Sequence, residues 1–166
     1  MMKWIWMILL LPFWISCTQA EKNKAEGKVV KIADGDTFTL LDANNQQVRI
    51  RLHGIDSPER AQDFGQVARQ KLSDLIFNQP VRLEVMDTDR YGRTIAIVYT
   101  QNGLCVNEEL LKSGLAWHYT EYDDNEGWAQ MEKEARKQKV GLWSQPRPVA
   151  PWDWRKEQRA PTKKAA

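Results

Sequence analysis

Three short segments carry more chemistry than a fold requires: Asp34-Gly35-Asp36-Thr37, Arg51-Leu52-His53-Gly54-Ile55-Asp56-Ser57-Pro58-Glu59 and Asp89-Arg90-Tyr91-Gly92-Arg93. Each crowds carboxylates or guanidinium groups into a strand end or a turn. Carboxylates that converge repel one another and need a cation, and an oxygen-only donor set suits calcium or magnesium. Neither of the two histidines comes with the Cys or His partners that zinc takes. Arginines beside such a cation would clamp a tetrahedral anion, for which phosphate is the obvious choice. A spare carboxylate such as Glu59 could activate water for in-line attack on that phosphate. Taken singly, each segment has an ordinary reading. Asp-Gly is a common turn, Glu59 could cap a following helix, and Arg51 could be a solvated cation on a polar strand face. His53 shares that face and reads as structural or solvated.

The elements that must hold these segments follow from hydrophobic spacing. Residues 28–32, 37–41 and 47–52 are alternating or β-branched, with turns at Asp34-Gly35 and at 42–45. Val48, Ile50 and Leu52 share one face of their strand, and Arg49, Arg51 and His53 share the other. Helical spacing takes over at 61–78, where Ala68, Leu72, Leu75 and Ile76 form one stripe. Strands at 81–86 and 94–99 follow, then helices at 106–115 and 123–139. Five short strands with a helix between the third and fourth predict an α+β fold, mainly β. Its centre is a five-stranded OB-type barrel, accompanied by three helices. Loops at one rim of such a barrel are where nucleic acid commonly binds. Trp117, Trp128 and Trp143 fall at apolar positions and read as core.

The ends differ from the middle. Lys3, the apolar run Trp4–Ile15 and Ser16 make an export signal over residues 1–16. Trp-Ile-Ser-Cys resembles a bacterial lipobox, with Cys17 as the lipidated first residue, although Trp14 replaces the usual aliphatic residue. Residues 17–25 read as a linker and 26–144 as one domain. Cys105, in an apolar stretch and without a partner, reads as a buried free thiol. Net charge is only +2, which is weak support for nucleic-acid binding. The segment 145–166 nevertheless holds six Lys or Arg against Asp153 and Glu157, and four prolines. It reads as a Pro-rich basic tail without regular structure, dispensable for catalysis, which attracts phosphate at long range or packs back through Trp152 and Trp154.

At the three segments the chain resembles the staphylococcal nuclease (thermonuclease) family. Asp-Gly-Asp-Thr, Arg-x5-Ser-Pro-Glu and Asp-x-Tyr-Gly-Arg occur in the family's order. The likeness continues through Val106-Asn107-Glu108, Ser113–Trp117 and Gly141-Leu142-Trp143, and so covers residues 26–144. The resemblance implies calcium held by Asp36, Asp56 and the Ser57 carbonyl, with Asp34 just outside the ligand set. It implies that Arg51 and Arg93 grip the scissile phosphate, and that Glu59 either abstracts a proton from water or orients it. Arg90 and Tyr91 would meet a neighbouring phosphate, and Tyr119 or Tyr122 the nucleotide. The implied enzyme is an exported, monomeric nuclease acting on DNA and RNA, single-stranded or frayed substrate preferred. It would cleave the bond to the 5′ oxygen and leave 3′-phosphate ends. Two competing readings are a catalytically inactive OB-type module that binds nucleic acid or protein, and an envelope lipoprotein with no catalytic site.

Overall fold

The computed structural model describes residues 24–159. The expected export signal and Cys17 lie outside the described residues. Strands β1 (Lys24–Ile32), β2 (Thr37–Leu41) and β3 (Gln47–Leu52) form an antiparallel meander. β4 (Ile55–Asp56) is a short extension after the turn that ends β3. Helix α1 (Gly65–Ile76) crosses to β5 (Pro80–Thr88), which pairs antiparallel with both β1 and β6 (Thr94–Thr100). β6 then pairs parallel with β3, closing a five-stranded barrel in the order β1-β2-β3-β6-β5. The expected closed barrel is therefore present, with α1 inserted where the sequence places it. Closure leaves the barrel itself without a free strand edge, which a sheet this small cannot otherwise protect.

Helices α2 (Val106–Lys112) and α3 (Glu126–Gln138) pack outside the barrel, joined by β7 (Trp117–His118), which pairs with β4. The alternation seen in the sequence decides the core. Phe38, Leu40, Ile50, Leu52, Val81 and Val98 fill the barrel, and Leu72 and Ile76 of α1 and Leu110 and Leu111 of α2 cap it. Trp128 and Trp143 are buried as expected, and Trp117 is half-buried. Cys105 is a half-buried free thiol.

One expectation about the chain's end fails. After a 3₁₀ turn at Gly141–Ser144, residues 151–159 form a fourth helix, α4 (Pro151–Arg159). Proline signals a break inside a helix. At the first helical position its missing N–H costs nothing and its fixed φ favours the turn, and Pro151 opens α4 in that place. Ala150 and Pro151 are buried. The segment taken for an irregular tail is, up to Arg159, a packed part of the molecule.

Candidate active site

Two strand ends bring the first pair of carboxylates together. Asp36 lies just before β2 and Asp56 ends β4. The antiparallel pairing of Thr37 with Arg51 fixes their approach, and the Asp36 carbonyl accepts the Leu52 N–H at 2.9 Å. The Ser57 N–H donates to Asp36 Oδ2 at 2.7 Å, and the Ser57 hydroxyl to the Gly35 carbonyl at 3.1 Å. Gly35 is needed here, because a Cβ would lie 2.7 Å from both the Ser57 and Ala68 side chains. Asp34 stays at the rim, where its carboxylate accepts the Asp36 N–H at 3.1 Å.

Arg51 projects between the two carboxylates. Its Nη1 lies 2.9 Å from Asp36 Oδ2 and its Nη2 2.8 Å from Asp56 Oδ1. One planar fork thus bridges two aspartates on different strands, a geometry lysine cannot reproduce. Both aspartates are buried. Burial pushes the Asp36 carboxyl up to about 8; Arg51 works against this, while Asp34 and Asp56 add to it. Buried like charges in this state gain from a divalent cation, which favours the ionised carboxylate.

Glu59 sits three residues beyond Asp56, across Ser57-Pro58. Its carboxylate does not cap α1: the residue before that helix is Phe64, with a left-handed backbone and no capping side chain. Instead Glu59 Oε1 accepts from Arg155 Nη1 at 2.7 Å, and Arg155 Nη2 donates to Asp56 Oδ2 at 2.8 Å. Burial disfavours the charged guanidinium, but its hydrogen bonds to Asp56 and Glu59 outweigh that and raise its pKa, so Arg155 stays cationic. Asp34, Asp36, Arg51, Asp56, Ser57 and Glu59 therefore form one constellation. The sequence reading missed its seventh member, Arg155. A signal was present: two tryptophans three and one residues before an arginine, too much apolar surface to leave in water.

The remaining predicted residues stand apart from this cluster. Arg93 precedes β6, whose Thr94 pairs with Ile50, so it lies along the barrel wall that carries Arg51. Its Nε donates to Asp89 Oδ2 at 2.7 Å. Asp89 also accepts the N–H groups of Tyr91 and Arg93, both at 2.9 Å. Against the desolvation that would raise it, these donors hold the Asp89 carboxyl below its usual value. Arg90 and Arg93 both lie over the exposed ring of Tyr91, at 5.0 and 5.7 Å from its centroid. Tyr119 and Tyr122 meet edge to face at 4.8 Å, and Trp152 of α4 stacks on Tyr119 at 5.0 Å with 11° between the rings. His53 is structural: with His118 it shares the Asp123 carboxylate, at 3.3 and 2.7 Å.

Among the described residues no group of three or more His, Cys, Asp or Glu side chains is arranged as a metal cage. The cluster fits calcium through its chemistry instead. Asp36 and Asp56 converge from two strands onto one cationic group, and the donors nearby are oxygens, with carbonyl and water left to complete a shell.

Comparison with known proteins gives a consistent result. Residues 49–145 match the family described as Staphylococcal nuclease homologue. An uncharacterized endonuclease of Haemophilus influenzae is 40% identical over 152 residues, 92% of this chain and 84% of that protein. A micrococcal nuclease of Shigella flexneri is 45% identical over 141 residues, covering 78% and 80% of the two chains. An uncharacterized endonuclease of Escherichia coli O157:H7 is 37% identical over 156 residues, 93% of this chain and 98% of that one.

Proposed function

Because the chain belongs to the staphylococcal nuclease homologue family, we propose that it is a calcium-dependent nuclease. It hydrolyses DNA and RNA with low sequence specificity and leaves 3′-phosphate ends. The observation that supports this reading best is the convergence of Asp36 and Asp56 on Arg51, with Glu59 one short loop away. A calcium ion held by Asp36, Asp56 and the Ser57 carbonyl would supply positive charge to a phosphate oxygen.

The protein's own groups do the rest. Arg51 and Arg93 take up the charge that grows on the phosphate as the bond to the 5′ oxygen lengthens. Glu59 holds a water, or removes its proton, on the opposite side of phosphorus. Arg90 and Tyr91 meet a neighbouring phosphate on the exposed loop before β6. Exposed Tyr122 offers a face for a base, with Tyr119, itself stacked by Trp152, behind it. Any base can use such a face, so substrate choice follows strand accessibility and not sequence. An inactive binding module would have no use for Asp36, Arg51, Asp56, Glu59 and Arg93 together, so the catalytic reading is preferred. Residues 1–16 as an export signal and Cys17 as a lipid anchor belong to the same proposal and place the enzyme at or beyond the cell envelope.

The chemistry of the ends tests this. Fragments of heat-denatured DNA cut in calcium should be labelled directly by polynucleotide kinase, since cleavage frees 5′ hydroxyls. Fragments that need prior dephosphorylation would mean that the 3′ oxygen leaves and that the reading is wrong.

A further inference from the structure

Glu59 has an unusual problem for a group meant to hold water in one place. It sits in an irregular loop between β4 and α1, and its side chain is 38% exposed. A carboxylate on such a loop samples many rotamers, and ordering it costs entropy at each turnover. Asp56, by contrast, is 1% exposed and fixed by strand pairing.

The C-terminal segment supplies the missing restraint at three points. Gln145 donates to Asp63 Oδ2 at 2.8 Å, and Gln62 donates to the Val149 carbonyl at 2.6 Å. The third contact is Arg155, whose two Nη groups span Glu59 Oε1 and Asp56 Oδ2. The helix that carries it is itself anchored. Trp152, one turn earlier on the same face, stacks on Tyr119 and meets Trp117 edge-on at 5.6 Å. Trp154 packs with Pro58, Ala61 and Gln62 around a cavity of about 130 Å³.

We propose that Arg155 is a positioning residue of the active site, tying the loop-borne Glu59 carboxylate to the buried Asp56 carboxylate. This rests on the nuclease reading above. A brake that competes with the cation for Asp56 is the other use of such a contact. The geometry favours positioning: Arg155 reaches Glu59 as well as Asp56, where it bonds both carboxylate oxygens, and α4 is joined to the domain by buried residues at 150–151. The planar fork matters, because its two fixed Nη groups set the relative positions of two carboxylates, which the single point charge of an ammonium group does not.

The test compares Arg155→Met, Arg155→Lys, Glu59→Gln and the Arg155→Met/Glu59→Gln double variant of the full chain. It measures kcat and KM on denatured DNA in calcium, well below each thermal midpoint. Arg155→Met should lower kcat by about 10- to 100-fold, the scale of a misplaced catalytic group, with KM within about threefold. Arg155→Lys should recover little. In the Glu59→Gln background Arg155→Met should change kcat less than about twofold, because its effect runs through that carboxylate. Trypsin should cut after exposed Arg60 several-fold faster in Arg155→Met, a readout independent of activity. Unchanged kcat, increased kcat, or a loss that multiplies fully with Glu59→Gln would each overturn the proposal. A wild-type chain inert in calcium fails the nuclease reading itself, a result distinct from all of these.

Discussion

At the scale of single residues, the two arginines read alike in sequence but stand in different surroundings. Arg93→Ala and Arg51→Ala should each cost about two to three orders of magnitude in turnover, the loss typical of one transition-state charge donor. Their stabilities should separate. Arg93 pairs with Asp89, whose carboxylate keeps the Tyr91 and position-93 N–H donors when the guanidinium is lost, so its loss should move the thermal midpoint less. Arg51 bridges two buried aspartates, and its loss leaves Asp36 without a cationic partner while Arg155 still holds Asp56, so its midpoint should fall clearly. Equal midpoints for the two variants would contradict the buried bridge. Glu59→Gln keeps size and one acceptor but removes charge, so turnover should fall about 10²- to 10⁴-fold with calcium affinity little changed. Asp36 adds a pH dependence. With its carboxyl pushed up to about 8, the folded protein keeps a proton that the unfolded chain releases near pH 4. Its contribution to stability is complete below about pH 4 and is lost as pH rises towards 8. Without calcium, the midpoint should therefore fall from pH 5 to pH 8, and Asp36→Asn should remove much of that slope. A wild-type midpoint that rises over this range, compared with Asp36→Asn, would count against the buried proton.

Among the elements, the Glu59 loop is shaped by one glycine that no motif singles out. A Cβ on Gly65 would lie 1.9 Å from the Glu59 carbonyl oxygen. Gly65→Ala must therefore displace the backbone of Glu59, and turnover should fall by an order of magnitude or more. A crystal structure of that variant with Glu59 unmoved would refute this. The sequence made much of the site readable because each part is local. Asp36 immediately precedes β2 and Asp56 follows the end of β3 by four residues, both strands plain in the sequence, and Glu59 follows Asp56 by three residues. Arg155 was not readable for the opposite reason. Its partners lie 99 and 96 residues earlier, and nothing in local spacing reports a contact of that kind. The short strands β4 and β7 escaped notice because two residues carry no period. Pro151 misled by its usual meaning, since a proline that opens a helix looks the same as one that forbids it.

For the whole molecule, the consequence is that the nuclease domain extends to α4. Removal of residues 145–166, expected from sequence alone to spare catalysis, should instead lower both the thermal midpoint and turnover. It deletes Arg155, the Trp152 stack on Tyr119 and the ties to Gln62 and Asp63. The barrel itself was readable because its strands alternate cleanly and its core is apolar on one face of each. A small net charge of +2 leaves binding to depend on where charge is placed, with Arg155 of α4 beside a carboxylate-rich centre. That centre is the heart of the account: acids that fold close together around Arg51 and Arg155 and that, in the proposed function, a divalent cation would join. The most direct measurement is release of acid-soluble nucleotide from heat-denatured DNA, by wild type and by Asp56→Asn, in calcium, in magnesium and in excess chelator. The account predicts rapid release by wild type in calcium, less in magnesium and none in chelator, with Asp56→Asn inactive throughout. Full activity in chelator, or an Asp56→Asn variant that cuts as well as wild type, would contradict it.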